Sequence, residues 1–249
     1  MSYPIYSDWT WSYSRISLFE ECPYAFALKY LYNDDNVQSN FYANFGTYIH
    51  RIHELYYTGV LTEAELVDYY IQHFDDVGPH KHRSKYFIEG LNYFEGGVAV
   101  TPSFIVGVEK NILFKVGEYN FTGFIDLLYK NDDGTLTICD HKSHVLKPRS
   151  RRKTPTVSDQ ELDQYLKQLY LYAHGVHQLG LGSVGQLQFN CFRGQITVSE
   201  RYSKDKEDEA VEWATNTIKK IEGATEFMPT GEWYYCHNLC DHRGVCEYI

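Results

Sequence analysis

The stretch from Phe104 to Ser143 limits the fold of this chain more than any other. "FIVGVEKNILFKVGEYNFTGFIDLLYKNDDGTLTICDHKS" carries β-branched and aromatic residues in short runs, and "VGEYN" and "NDDG" punctuate them as hairpin turns. It predicts a meander of strands in which "GFIDLLYK" and "TLTICDHK" are antiparallel neighbours. Helical periodicity brackets this meander on both sides. Upstream, a helix is expected over about residues 14–31, with Ile16, Phe19, Phe26 and Tyr30 on one face and Pro23 as a break or kink. "NDDNVQSN" reads as a loop. A second helix over about 43–57 has Phe45, Ile49, Ile52 and Tyr56 as its apolar stripe, and helical segments continue to about Phe94. Downstream, a long helix over about 158–178 places Leu162, Leu166, Leu169, Ala173 and Val176 on one side. Strands follow near 186–192 and 195–201, then a helix over about 204–222 with Val211, Ala214, Ile218 and Ile221 inward. This order suits an α/β core with a mixed sheet, closed by a cysteine-rich tail.

At 249 residues the chain is long enough for one large domain, with a helical part over 1–100, a core over 101–202 and a final helix and tail over 203–249. Hydrophobic residues at 43% and charged residues at 22% are an ordinary globular mix. The aromatic share of 16% includes 23 tyrosines, as compositional drift or as stacking platforms; composition does not choose. No apolar run reaches the roughly 18 residues of a membrane helix, and the N-terminus has neither a basic n-region nor an apolar h-region. Six cysteines without a signal point to a reducing cytoplasm, where clustered thiols hold metal more often than they form disulfides. A formal charge of −10 excludes a general nucleic-acid coat, so contact with DNA must be local.

Four groups of residues carry chemistry. Asp126 and Asp140 approach one another across the predicted hairpin, and Lys142 shares a strand face with Asp140. They are either polar residues on a solvated face or the floor of a metal site. Two carboxylates held close repel unless a cation such as Mg²⁺ or Mn²⁺ neutralises them. Such an ion polarises a phosphoryl oxygen and acidifies water. His50 lies off the apolar stripe of its helix, with Glu54 one turn on to orient it; His53 ranks below it. Gln168 and Tyr172 stand one turn apart on the long helix. Finally, Cys236, Cys240 and Cys246 crowd "CHNLCDHRGVC", a metal-binding spacing. Cys139 and Cys191 fall inside strand patterns as core thiols.

Five motifs together resemble the PD-(D/E)XK nuclease superfamily, in particular its RecB-like branch and the iron–sulfur nucleases of CRISPR adaptation. They are "SYSRISLFEECPYAFALKYL", "FGTYIHRIHE", "GFIDLLY", "ICDHKS" and "QLYLYA", and the likeness covers nearly the whole chain. Ile125 stands where the superfamily's name has proline. The resemblance implies a restriction-endonuclease-like core, a mixed central sheet flanked by helices, with an N-terminal helical part and a C-terminal iron–sulfur tail. It implies that His50, Asp126, Asp140 and the His141 carbonyl hold a catalytic Mg²⁺ or Mn²⁺, and that Lys142 is the catalytic lysine. Gln168 and Tyr172 then position phosphate or brace the site, and Glu109 supports it from the preceding strand. Cys22 joins Cys236, Cys240 and Cys246 around a structural [4Fe-4S] cluster that staples the two chain ends. Three residues separate the first two tail cysteines where the family has two. His237 and His242 also leave a zinc site open.

"HKSHVLKPRSRRKTP" contains Lys142, Lys147, Arg149, Arg151, Arg152 and Lys153 and no acid, so 17 basic residues face 33 acidic ones in the rest of the chain. This flexible loop follows the proposed catalytic strand, where it can track a phosphate backbone. The resulting expectation is a metal-dependent deoxyribonuclease, an exonuclease or end-trimming enzyme on single-stranded or frayed DNA, in a bacterial, archaeal or phage-infected cell. No phosphate-binding loop of a helicase motor is present, so unwinding falls to a helicase, recombination or CRISPR-adaptation partner. The alternative keeps the fold but uses it for DNA capture or complex assembly. A zinc-tailed structural protein is the third reading.

Overall fold

Cys22 and Pro23 cut the first helical pattern into two helices. The computed structural model describes residues 6–32 and 40–249, so all of the expected loop "NDDNVQSN" except Asn40 lies outside the described residues. After a 3-10 turn at Tyr6–Asp8 come β1 (Thr10–Trp11), α1 (Tyr13–Glu21), α2 (Pro23–Tyr30), α3 (Phe41–Tyr57), α4 (Leu66–His73) and α5 (Arg83–Glu95). Then follow β2 (Ile105–Val116), β3 (Tyr119–Lys130), β4 (Leu136–Lys142), α6 (Val157–Gln178), β5 (Val184–Cys191), β6 (Ile196–Arg201), α7 (Lys204–Gly223) and α8 (Trp233–Asn238). Cys22 closes α1 in an extended conformation and caps α2, its Sγ accepting from the Ala25 N–H, with Pro23 in the first turn where no N–H is needed.

The chain forms two compact units, each assembled from separated segments. The smaller takes the N-terminal segment to Asn40, Leu113–Gly123 and Val211–Ile249. Within it β1 pairs parallel to the start of β3, Thr10 opposite Asn120 and Trp11 opposite Phe121. Trp11 is fully buried, and Phe26 stacks on Phe227, whose ring centroid is 6.0 Å away. Trp213 and Thr217 of α7 both donate to Glu20 of α1.

The larger unit takes Phe41–Ile112 and Phe124–Ala210. Here β3 runs antiparallel to β4, β4 parallel to β5, and β5 antiparallel to β6, with β2 beside β3. Gly134, at φ 86°, supplies the left-handed step of the "NDDG" turn between β3 and β4. β4 is buried along nearly its whole length, as a strand covered on both faces must be. The parallel β4–β5 pair needs a crossover, and α6 provides it, packing on both strands. Thr156 and Asp159 form a reciprocal capping box that starts α6. Phe45, Ile49 and Ile52 of α3, Tyr70 and Phe74 of the α4 region, and Tyr93 and Phe94 of α5 form one apolar core with Leu127 and Phe192. A mixed sheet flanked by helices is the architecture expected of a restriction-endonuclease-like core. The two-residue β1 and the short α8 are additions that the sequence patterns do not announce. No described helix is long and apolar enough to cross a membrane.

Candidate metal centre and cleft

The β3–β4 ladder ends at the pair Leu127–Cys139, so Asp126 and Asp140 occupy the next step of an antiparallel pair and share one side of the sheet. Both are buried, at 8% and 4% exposure. Asp126 Oδ2 accepts from the His141 backbone N–H at 2.7 Å. Burial, reinforced by the neighbouring Asp140, pushes the Asp126 carboxyl well above the usual carboxylate range.

Helix α3 presents His50 to this pair. Its Nε2 donates to the His141 carbonyl at 2.8 Å, and its Nδ1 lies 3.5 Å from Asp126 and 3.7 Å from Glu109. Burial pulls the imidazole pKa down, but Asp126, the Glu109 hydrogen bond and Asp140 more than offset it and raise it to about 9. An imidazole with acceptors at both nitrogens is an imidazolium, so the site favours a positive charge before any metal enters. His50, Glu109 and Asp126 bring one ligand atom each within 4.8 Å of one another. Imidazole, carboxylate and carbonyl donors suit a hard divalent cation such as Mg²⁺ or Mn²⁺, so the residues present fit the ion.

Glu109 joins this group through its backbone. Its φ of 43° is a left-handed conformation in the middle of β2, a strain of about 1–3 kcal/mol for a residue with a Cβ. Burial alternates along β2 only from Asn111 onward. Side-chain periodicity therefore gives no hint that Glu109 turns towards His50.

Lys142 Nζ lies 2.9 Å from Asp140 Oδ2 and donates to Gln168 Oε1 at 3.1 Å; Gln168 Nε2 donates to the Tyr172 hydroxyl at 3.0 Å. Burial opposes its charge, but Asp140 and Asp126 outweigh burial and hold the ammonium above its ordinary pKa. The Tyr172 hydroxyl, raised to about 12 by burial, stays protonated. One turn of α6 thus fixes the ammonium beside the carboxylates.

His53 does not enter this group. It is buried, its ring stacks on His141 at 4.0 Å, and its Nε2 is 2.9 Å from the Tyr93 hydroxyl. Burial and the charge on His50 lower its pKa to about 3, so it is neutral. Glu54 corrects one expectation, because it pairs with Arg51 rather than with His50. Arg149 corrects another. Asp163 and Glu200 hold its guanidinium, which leaves it committed to the fold. Lys147, Arg151, Arg152 and Lys153 are exposed. Nor is the basic segment loosely held, since Asp159 accepts from the backbone and side chain of both Ser150 and Thr156. Sequence reasoning also missed Arg193, which ties Glu89 of α5 to the turn after β5 and stacks over Tyr86.

In the smaller unit Cys22, Cys236, Cys240 and Cys246 are free thiols lining one small cavity of about 20 Å³, together with the buried His242. Asn40 fastens this tail through the Leu239 carbonyl and Asp241. Cys139 and Cys191 are buried core thiols.

A family model described as the PD-(D/E)XK nuclease superfamily matches residues 10–247. Among solved structures, one titled "Crystal structure of SSO0001" is similar at 18% identity and a TM-score of 0.35, covering 66% of this chain and 74% of that one. Curated proteins give no match.

Proposed function

The chain belongs to the PD-(D/E)XK nuclease superfamily, a metal-dependent nuclease fold, and on that premise we propose that it is a Mg²⁺- or Mn²⁺-dependent deoxyribonuclease of the RecB-like branch. It would trim ends of single-stranded or frayed DNA. One observation carries the reading: two buried carboxylates share a step of the sheet, with an imidazole and a third carboxylate on one flank and a fixed ammonium on the other. His50, Asp126, Asp140 and the His141 carbonyl, with Glu109, would hold the ion. Bound there, the ion polarises a phosphoryl oxygen and makes water more acidic. Lys142 stabilises charge that develops on the phosphate and forms an ion pair with Asp140. Gln168 and Tyr172 hold Lys142 in place. Labelled single- and double-stranded DNA incubated with Mn²⁺ should be cut by the wild-type protein and left intact by Asp126→Ala. Equal cutting by both would reject the assignment, and binding without cutting by the wild type would favour the DNA-capture alternative.

Lys147, Arg151, Arg152 and Lys153 remain for the DNA backbone. Arg151→Ala combined with Arg152→Ala should flatten the plot of log affinity against log salt by about 0.7 per lost phosphate contact on single strands. A slope unchanged in fluorescence anisotropy would remove the segment from the interface. A partner with helicase, recombination or CRISPR-adaptation activity would supply unwound DNA.

The four tail thiols support a structural [4Fe-4S] cluster, with Cys22 joining the N-terminal helices of the smaller unit to its tail. A zinc site is the second reading, favoured by the small cavity and by His242 in its wall. Anaerobically prepared protein should absorb in the visible range, and Cys22→Ser should lose that absorbance and lower Tm. Colourless protein containing stoichiometric zinc would reverse the choice.

A further inference from the structure

Beside the candidate metal group lies an open cleft of about 600 Å³, within the size range of small-ligand sites. His50 and Glu109 belong both to its wall and to the metal group, so whatever fills the cleft touches the reacting centre. The other walls are Gly46, Thr47, Arg51 and Glu54 of α3 and, from β3, Phe124.

Two of these residues are unexplained by the fold. Phe124 is 54% exposed, two positions before the buried Asp126 on the same strand. Gly46 lies inside α3, where glycine weakens a helix relative to alanine. A Cβ built on it would meet nothing within 4 Å, and its φ is not in the left-handed range. Neither backbone nor packing requires glycine there. Its missing side chain leaves room in the cleft. Among the described residues Arg51 pairs with Glu54 on the same helix, a weak contact that an incoming phosphate can replace.

We propose that this cleft is a nucleobase subsite: one unpaired base of the strand being cut stacks on Phe124, over the space left at Gly46, while Arg51 takes an adjoining phosphate. The proposal rests on the nuclease reading above and narrows its substrate to single strands and frayed ends, because a base stacked within a duplex has no free face to offer. Stacking tolerates any base, so the subsite selects for unpaired structure and not for sequence.

The test measures steady-state cleavage of a labelled mixed-sequence single-stranded DNA in Mn²⁺ by the wild type and by Phe124→Ala, Phe124→Trp and Gly46→Leu. Phe124→Ala should raise KM by about 5- to 150-fold, the contribution of one stacked base, with a smaller change in kcat. Phe124→Trp should restore wild-type KM. Gly46→Leu should raise Tm and raise KM, an opposition that a merely structural glycine would not produce. An abasic position scanned along the strand should find one site where the wild type loses affinity and Phe124→Ala loses no more. Unchanged KM in Phe124→Ala and Gly46→Leu, with cleavage abolished in Asp126→Ala, would overturn the subsite and leave the nuclease standing. Should the wild type cut nothing, anisotropy with the same oligonucleotide decides: equal binding by wild type and Phe124→Ala overturns the subsite, whereas weaker binding with the same abasic dependence supports it.

Discussion

Lys142→Met is expected to lower kcat by about 10²–10³-fold while leaving Mn²⁺ affinity intact or improved. The methionine keeps an unbranched stem and removes the ammonium. Asp140 then loses the group 2.9 Å from its Oδ2 while its carboxylate stays buried. An uncompensated buried charge costs about 3–5 kcal/mol, so in chelator the variant should melt well below the wild type. Because that charge is negative, a divalent cation should recover much of the loss. Steady-state cleavage together with thermal unfolding in chelator and in Mn²⁺ checks both halves. If kcat survives, Lys142 is only a counter-ion for Asp140.

In chelator, Tm should fall as pH rises from about 6.5 to about 9, and Mn²⁺ should oppose the fall. The folded-state pKa of His50 is raised from 6.5 to about 9, so the stability it contributes is complete below 6.5 and lost as pH climbs through 9. Asp126 acts with the same sign, since its carboxyl is also raised on folding. The His50 side chain retains 31% exposure, which screens part of the effect and sets it at about 1–3 kcal/mol. A metal ligand must be neutral imidazole, so Mn²⁺ binding below pH 9 must displace the His50 proton and tighten as pH rises. Titration calorimetry in buffers of different ionisation enthalpy counts that proton. His50→Gln should remove the part of the slope above pH 7 and the His50 proton from the count, leaving the share of Asp126 at lower pH. A wild type with no slope above pH 7 would remove His50 from the site.

The strand meander, the long helix α6 and the division at Pro23 were legible because each has a local signal: short β-branched and aromatic runs between turns, a 3.6-residue stripe in α6, a proline that lacks an N–H. β1 has two residues and no period to read. The pair Asp126 and Asp140 could be read because the "NDDG" turn fixes the β3–β4 register. Glu109 could be weighted only weakly, since its approach depends on one left-handed residue that no alternation reveals. Arg149 looked like a DNA contact because its partners, Asp163 and Glu200, are remote in sequence. Glu54 shares a helix with both His50 and Arg51, and spacing alone does not say which it meets. Phe124 and Gly46 became visible only as walls of a cleft.

We assign His50, Glu109, Asp126 and Asp140 to one cation site. Its most direct test is Mn²⁺ binding followed by electron paramagnetic resonance at pH 8, comparing the wild-type protein with Asp126→Asn. The wild type should bind one ion tightly per chain, and the variant should leave the free Mn²⁺ signal unreduced. Equal uptake by both proteins would contradict it.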